Sequence, residues 1–176
     1  MIPRADLVAW SDQVGWPSID QVEQDLVLSR LIVELAQDPY LGDELVLRGG
    51  TCLHKLYDTG SARYSEDLDY VRRSQGGIAD LTRAVTAIGE RLGMQVRTKI
   101  GRHPKIFLKA PFESGSGTMR VKVEVNTFER SPARPLVHAR HTVSSQWFNG
   151  DAEVQTFDLA ELVARLGVIG VAIDAI

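Results

Sequence analysis

Residues 45 to 70, LVLRGGTCLHKLYDTGSARYSEDLDY, constrain what this chain can fold into more than any other stretch. They read as a strand, a glycine turn, a short helix, a loop and a second strand. In an extended strand successive side chains alternate faces, so Asp67 and Asp69 point the same way while Leu68 and Tyr70 turn toward the core. Two hard anionic oxygen donors side by side suit a divalent metal. The Gly49-Gly50 pair allows backbone to approach a ligand at a helix start, where free N–H groups and the helix dipole favour phosphate. Glycine turn and paired aspartates together point to a nucleoside triphosphate held on magnesium. The stretch is neither G-x-x-x-x-G-K-[ST] nor G-x-G-x-x-G, so the two commonest phosphate-loop designs are excluded.

The rest of the chain supplies the frame. At 176 residues it is long enough for one domain with a single core. Its formal net charge of -3 gives no global attraction to nucleic acid, so any such contact needs a local basic surface. Arg102, His103, Lys105, Lys109, Arg120, Lys122 and the arginines between 130 and 140 are expected to gather around the carboxylates. The single cysteine, Cys52, cannot form an internal disulfide and reads as a small buried apolar residue. Neither a signal-peptide pattern nor a membrane-length apolar run is present, which predicts a cytoplasmic protein without membrane contact.

Ser18 and Gln21 form a capping-box pattern ahead of a helix that should stop at Asp38-Pro39. Strand 45–48, helix 51–58 and strand 66–71 follow, then an amphipathic helix after Gly76-Gly77 carrying Leu81, Val85, Ile88 and Leu92. Extended segments are expected at 94–100, 105–110 and 118–126. The last, TMRVKVEVN, places Val121, Val123 and Val125 on one face and Arg120, Lys122, Glu124 and Asn126 on the other. Should it pair beside the Asp67 strand, Glu124 becomes a third carboxylate. Residues 127–150 read as loop because of their prolines, glycine and arginines. A final helix, 158–166, should bury Leu159, Leu162, Val163 and Leu166, and the apolar tail 167–176 should pack on the body or a partner subunit.

Leu47-Arg48-Gly49-Gly50-Thr51, Leu53 and Tyr57, Arg63 to Asp69 (RYSEDLD), Lys122 to Asn126 (KVEVN) and Glu161 to Ala164 (ELVA) resemble, in that order and at about the right spacing, the AbiEii/MenT group of nucleotidyltransferase toxins. The resemblance covers roughly residues 18 to 165. It implies an α+β fold of the DNA polymerase β-like nucleotidyltransferase type, a mixed sheet flanked by helices, with 1–176 as one nucleotidyltransferase domain. It implies transfer of nucleotides, pyrimidines by preference, from an NTP to the 3′ end of tRNA, blocking translation. It also implies magnesium (Mg2+) in a two-metal arrangement, with manganese (Mn2+) as a substitute, and a cognate antitoxin encoded beside the toxin. The chain departs from the family after Glu161-Leu162-Val163-Ala164. Arg165 stands near the position of an expected lysine and GVIGVAIDAI matches no family motif, so the resemblance implies that the C-terminal family helices are replaced or missing.

Carried onto this sequence, Asp67, Asp69 and Glu124 would be metal ligands and catalytic carboxylates, Glu124 at the attacking hydroxyl or as its base. Gly49, Gly50 and Thr51 would hold phosphates, with charge from Arg48, Lys55, Arg63, Lys122 and Arg165, and Ser65 nearby. Two other readings stay open: a nucleotidyltransferase acting on a small molecule or a protein, and a catalytically impaired module that binds nucleotide or antitoxin.

Overall fold

The computed structural model describes residues 2–57, 64–129 and 131–168. Helices α1 (Arg4–Val14) and α2 (Ile19–Gln37) are followed by a single turn, α3 (Leu41–Glu44). Strand β1 (Leu45–Arg48) runs directly into α4 (Gly49–Tyr57), and β2 (Asp67–Arg72) leads through a short loop to α5 (Ala79–Arg91). Strands β3 (Gln95–Lys99), β4 (Lys105–Pro111), β5 (Thr118–Asn126), β6 (Val137–Ser144) and β7 (Asn149–Thr156) complete one seven-stranded sheet, and α6 (Leu159–Val168) closes the described chain. The apolar tail, expected to pack on the body or a partner subunit, lies from residue 169 on outside the described residues.

The spatial order is β3-β4-β5-β2-β1-β7-β6, and the sheet is mixed. β2 pairs in parallel with β5 and antiparallel with β1, while β1 meets β7 in parallel. The three central strands are therefore β5, β2 and β1, the ones that carry the carboxylates and the glycine turn. One contiguous core unites Leu26, Leu31 and Ile32 of α2 with Leu68 and Tyr70 of β2 and the valines of β5. At the β3–β4 end of the sheet, α5 packs so closely that a Cβ on Gly89 would lie 2.6 Å from Leu108 Cδ2 and 2.8 Å from Val96 Cγ2.

Local signals explain the helix ends. Ser18 Oγ accepts from Gln21 N at 3.2 Å, which is half of the anticipated capping box. The reciprocal half is absent, since Gln21 Oε1 is buried without a partner. Asp38 ends α2 and restarts the chain, its carboxylate accepting from Tyr40 N and Leu41 N at 3.0 and 2.9 Å. Asp158 caps α6 by accepting from Ala160 N at 3.1 Å.

Two expectations need correction. Residues 127–150 are not loop throughout, because Val137–Ser144 is a strand that pairs with Asn149–Thr156 in an antiparallel hairpin. β6 is an edge strand whose inner face is only Val137, Ala139, His141 and Val143, so its alternation is easily lost among the arginines. In α6, Leu162 and Leu166 are buried but Leu159 and Val163 remain 41% and 38% exposed, so the apolar face is narrower than its sequence suggests.

Away from the carboxylates, a polar knot holds the N-terminal third together. Asp25 of α2 is buried, and its carboxylate accepts from Trp10 Nε1 at 2.9 Å, Trp16 Nε1 at 2.9 Å and Lys55 Nζ at 2.6 Å. A buried carboxylate needs this many donors to offset its lost hydration.

Candidate active site

The site is assembled by strand register. β5 lies beside β2 with Asp67 opposite Lys122 and Asp69 opposite Glu124, while β1 brings Arg48 opposite Asp69 from the other side. Residues paired across a ladder project from the same face, so Arg48, Asp69 and Glu124 form one row and Asp67 and Lys122 the next. The alternating partners Leu68, Tyr70, Val123 and Val125 are buried on the opposite face. Asp67, Asp69 and Glu124 thus share a half-open surface at the end of β1 where the glycine turn begins.

Charge at this surface is tightly compensated. Lys122 Nζ stands 3.0 Å from Asp67 Oδ2 and 3.1 Å from Glu124 Oε2, and Lys105 Nζ adds a contact of 3.3 Å to Glu124. Burial works to raise Glu124, but hydrogen bonding and attraction from Lys122 and Lys105 prevail and hold it below the usual carboxylate range. Burial likewise works against the charge on Lys122, and its two carboxylate partners raise it overall. Asp69 is different: burial raises it, and the neighbouring Asp67 and Glu124 charges raise it further against the pull of Lys122 and Arg48.

The glycine turn makes room for that carboxylate. Gly49 has φ +85°, and a Cβ there would lie 3.0 Å from Asp69 Oδ2 and 3.3 Å from Asp69 Cβ. Gly50 is exposed with nothing near its missing side chain, which leaves the first turn of α4 open to an approaching ligand. The first N–H groups of a helix have no intrahelical partner, and here they stand next to the carboxylate row. Thr51 is buried. Its hydroxyl lies 2.6 Å from the Asp67 carbonyl oxygen and 2.7 Å from Ser65 Oγ. A carbonyl can only accept, so Thr51 donates to it and receives the Ser65 proton. Thr51 and Ser65 thereby lock α4 to the start of β2.

The cations divide. Arg48 Nη1 binds Glu129 Oε2 at 2.8 Å, and Arg165 Nη1 faces the same carboxylate at 3.6 Å. The rest of Arg165 is engaged with Glu161 at 2.7 and 2.9 Å and with the Ser131 carbonyl at 3.1 Å. Lys55 does not face the site, a correction to its expected phosphate role, because its ammonium is buried in the Asp25 pair. Its apolar stem and the opposite charge favour that interior position over the rim. Arg63 lies outside the described residues. Of the arginines expected near the cleft, Arg140 pairs with Asp151 at the β6 edge, far across the sheet order from β5, whereas Arg134 pairs with Asp158 and its backbone N–H donates to Glu161, the carboxylate that holds Arg165.

Register also reveals basic residues that spacing could not place. Lys105 and Lys109 of β4 stand opposite Glu124 and Arg120, and Lys99 of β3 opposite Lys105, with Arg97 opposite Phe107. All project from the carboxylate face, giving a basic half-sheet that runs up to Asp67 and Asp69. Glu129 was missed as well, since nothing in its local sequence marks it as the bridge between Arg48 and Arg165.

The donor set suits a hard divalent cation that arrives with a nucleotide. Among the described residues no three His, Cys, Asp or Glu side chains close into a metal cage of their own. Magnesium ordinarily takes one or two carboxylates and completes its shell with phosphate oxygens and water. Asp67, Asp69 and Glu124 in one patch, with Asp69 seated against bare glycine backbone, meet that requirement.

The model of the family described as nucleotidyl transferase AbiEii toxin, type IV toxin–antitoxin system, matches residues 30–165. Among solved structures, MenT4, a nucleotidyltransferase toxin from Mycobacterium tuberculosis H37Rv, superposes with a TM-score of 0.61 at 22% identity, covering 94% of this chain and 57% of that one. JHP933 from Helicobacter pylori gives a TM-score of 0.52 at 14% identity, covering 84% of this chain and 56% of that one. The chain thus spans little more than half the length of either, and the likeness to them is one of fold. A comparison with curated protein sequences returns no match. The family match takes in the glycine turn, the paired aspartates, Glu124 and Glu161 together, and this chain belongs to the AbiEii nucleotidyl transferase toxin family.

Proposed function

We propose that this chain transfers nucleotides from an NTP to the 3′ end of tRNA, and that a cognate antitoxin protein restrains it. The observation that carries the reading is the Asp69–Glu124 register beside Asp67, a carboxylate row on an open sheet face flanked by basic residues. Divalent cations held by that row would polarise the α-phosphate and lower the pKa of the attacking ribose hydroxyl, whose oxygen bonds to the α-phosphorus as the α–β anhydride bond breaks and pyrophosphate leaves. Gly49 and Gly50 bring the first turn of α4 to the triphosphate, and its free N–H groups bind phosphate oxygens. Arg48 turns from Glu129 to the same charge, joined by the Nη1 edge of Arg165. Lys122 stands where it can leave Asp67 and Glu124 for an incoming phosphate once the carboxylates have a cation of their own. Glu124, kept ionised by its lysines, receives the proton of the hydroxyl or holds the ion beside it. Thr51 and Ser65 position Asp67 through its carbonyl.

The basic half-sheet supports a nucleic-acid acceptor. Each phosphate neutralised by Lys105, Lys109, Arg120 and their neighbours makes the log of the affinity fall by about 0.9 per decade of salt on a duplex and about 0.7 on a single strand. Labelled NTPs incubated with total RNA, total protein and small hydroxyl compounds test the proposal directly. Label in tRNA that requires Mg2+ and disappears in Asp67→Ala supports it. Label confined to protein or small molecules, or an RNA affinity insensitive to salt, overturns it.

A further inference from the structure

Just past the carboxylate row an aromatic ring is held out into solvent. Phe128 is 59% exposed, although it follows the strand that carries Glu124 by only two residues. Its position is set by Asn126, a buried residue whose Oδ1 accepts from Phe128 N at 2.9 Å and from Glu129 N at 3.1 Å. That Asx turn bends the chain out of β5 and sends Glu129 back to Arg48 in the Asp69 row, leaving the intervening ring on the rim of the site. The Arg102 guanidinium lies 5.2 Å from the ring centroid, and the His103 ring meets it edge-on at 5.6 Å. Thr127 Oγ1 donates to the Arg102 carbonyl at 3.4 Å, tying the β3–β4 turn to the same corner. The side chain is therefore an exposed aromatic plane, braced by the His103 ring and flanked by the Arg102 guanidinium, beside the residue assigned to the attacking hydroxyl.

We propose that Phe128 and Arg102 form a stacking subsite for an unpaired nucleobase at the 3′ terminus of the acceptor RNA. An exposed ring with an arginine beside it suits a base and its phosphate. The acceptor fits better than the NTP base because Phe128 sits on the Glu124 side of the row, while the phosphate-holding turn lies at the β1 end. The inference rests on the transferase reading above, with Phe128 acting as a positioning residue.

A short single-stranded RNA ending in 2-aminopurine riboside provides the probe. Wild type should quench its fluorescence and bind it more tightly than the same strand with an abasic terminus. Phe128→Ala should lose the quenching, bind roughly tenfold more weakly, and raise KM for RNA while leaving KM for NTP unchanged. Phe128→Trp should restore both properties, which a purely structural role would not require. Equal binding of the aminopurine and abasic strands by wild type, or a Phe128→Ala effect on KM for NTP alone, overturns the subsite while transfer persists. A wild type that neither transfers to RNA nor binds it overturns the transferase reading and the subsite together.

Discussion

Substituting the two adjacent glycines separately should give opposite results. At Gly49 an alanine has to adopt φ +85°, which costs about 1–2 kcal/mol for a residue with a Cβ. The new methyl group also meets Asp69 at 3.0 and 3.3 Å, so the carboxylate has to give way by a few tenths of an ångström in a partly buried setting. Crowding of this kind costs typically ~1–3 kcal/mol, and the reduced freedom of the unfolded chain returns ~0.4–1 kcal/mol. The net expectation for Gly49→Ala is about 1–4.5 kcal/mol of lost stability, together with a loss of metal affinity, because Asp69 is the residue displaced. At Gly50 nothing lies within reach of a Cβ and φ is not positive, so alanine should be neutral or stabilising by up to ~1 kcal/mol. Urea unfolding of both variants, followed by Mn2+ titration of the folded proteins, reads the two effects independently. Equal stabilities for Gly49→Ala and Gly50→Ala, or unaltered Mn2+ affinity in Gly49→Ala, would refute the close approach of turn and carboxylate.

Three further outcomes follow from contacts elsewhere. Lys55→Met strands the buried Asp25 carboxylate and should cost about 3–5 kcal/mol in a urea melt, while NTP affinity of the remaining folded protein stays at the wild-type value. A loss of NTP affinity at unchanged stability would return Lys55 to the site. Asp69 holds its proton to a higher pH in the native state than in the unfolded chain, so the stability it contributes is present below its unfolded pKa and drains away as pH rises through the raised native value. Asp69→Asn should accordingly melt higher than wild type at neutral pH without metal, yet bind Mn2+ more weakly. The opposite order of melting temperatures would show that Asp69 is not strained by burial and its neighbours. Gly89→Ala drives a methyl group into Leu108 and Val96 and should lose ~1–3 kcal/mol by calorimetry; wild-type stability would mean that α5 can slide outward freely.

How legible each part was depended on whether a local period carried it. Asp67 and Asp69 alternate with Leu68 and Tyr70, and Val121, Val123 and Val125 with Lys122 and Glu124, so period-2 patterning alone assigns their faces. That β5 lies beside β2, and in which register, is a matter of long-range pairing that only the assembled sheet displays. Lys55 shows the reverse failure. On the sequence it stands five residues after Gly50 and looks available to phosphate, but its reach is decided by Asp25, thirty residues away in α2. The β6–β7 hairpin escaped because an edge strand needs only one apolar face, and His141 and Ala139 supply part of it. His141 is buried there, with Nε2 at 3.2 Å from the Ser29 carbonyl, as a structural histidine.

The Asp25 knot has a mechanical consequence. α1 touches none of the carboxylates, yet Trp10 hangs from the same aspartate that anchors Lys55 in α4, the helix whose first turn opens toward the phosphates. Peeling α1 away withdraws one of the three hydrogen-bond donors of a buried charge, and shortening the chain past Trp16 withdraws two, leaving Lys55, with His54 at 3.9 Å, beside the carboxylate. The first sixteen residues therefore act as a remote clamp on the glycine turn. Hydrogen exchange in α4 should loosen in step with the fraying of α1, although the two helices are separated in sequence by the whole of α2.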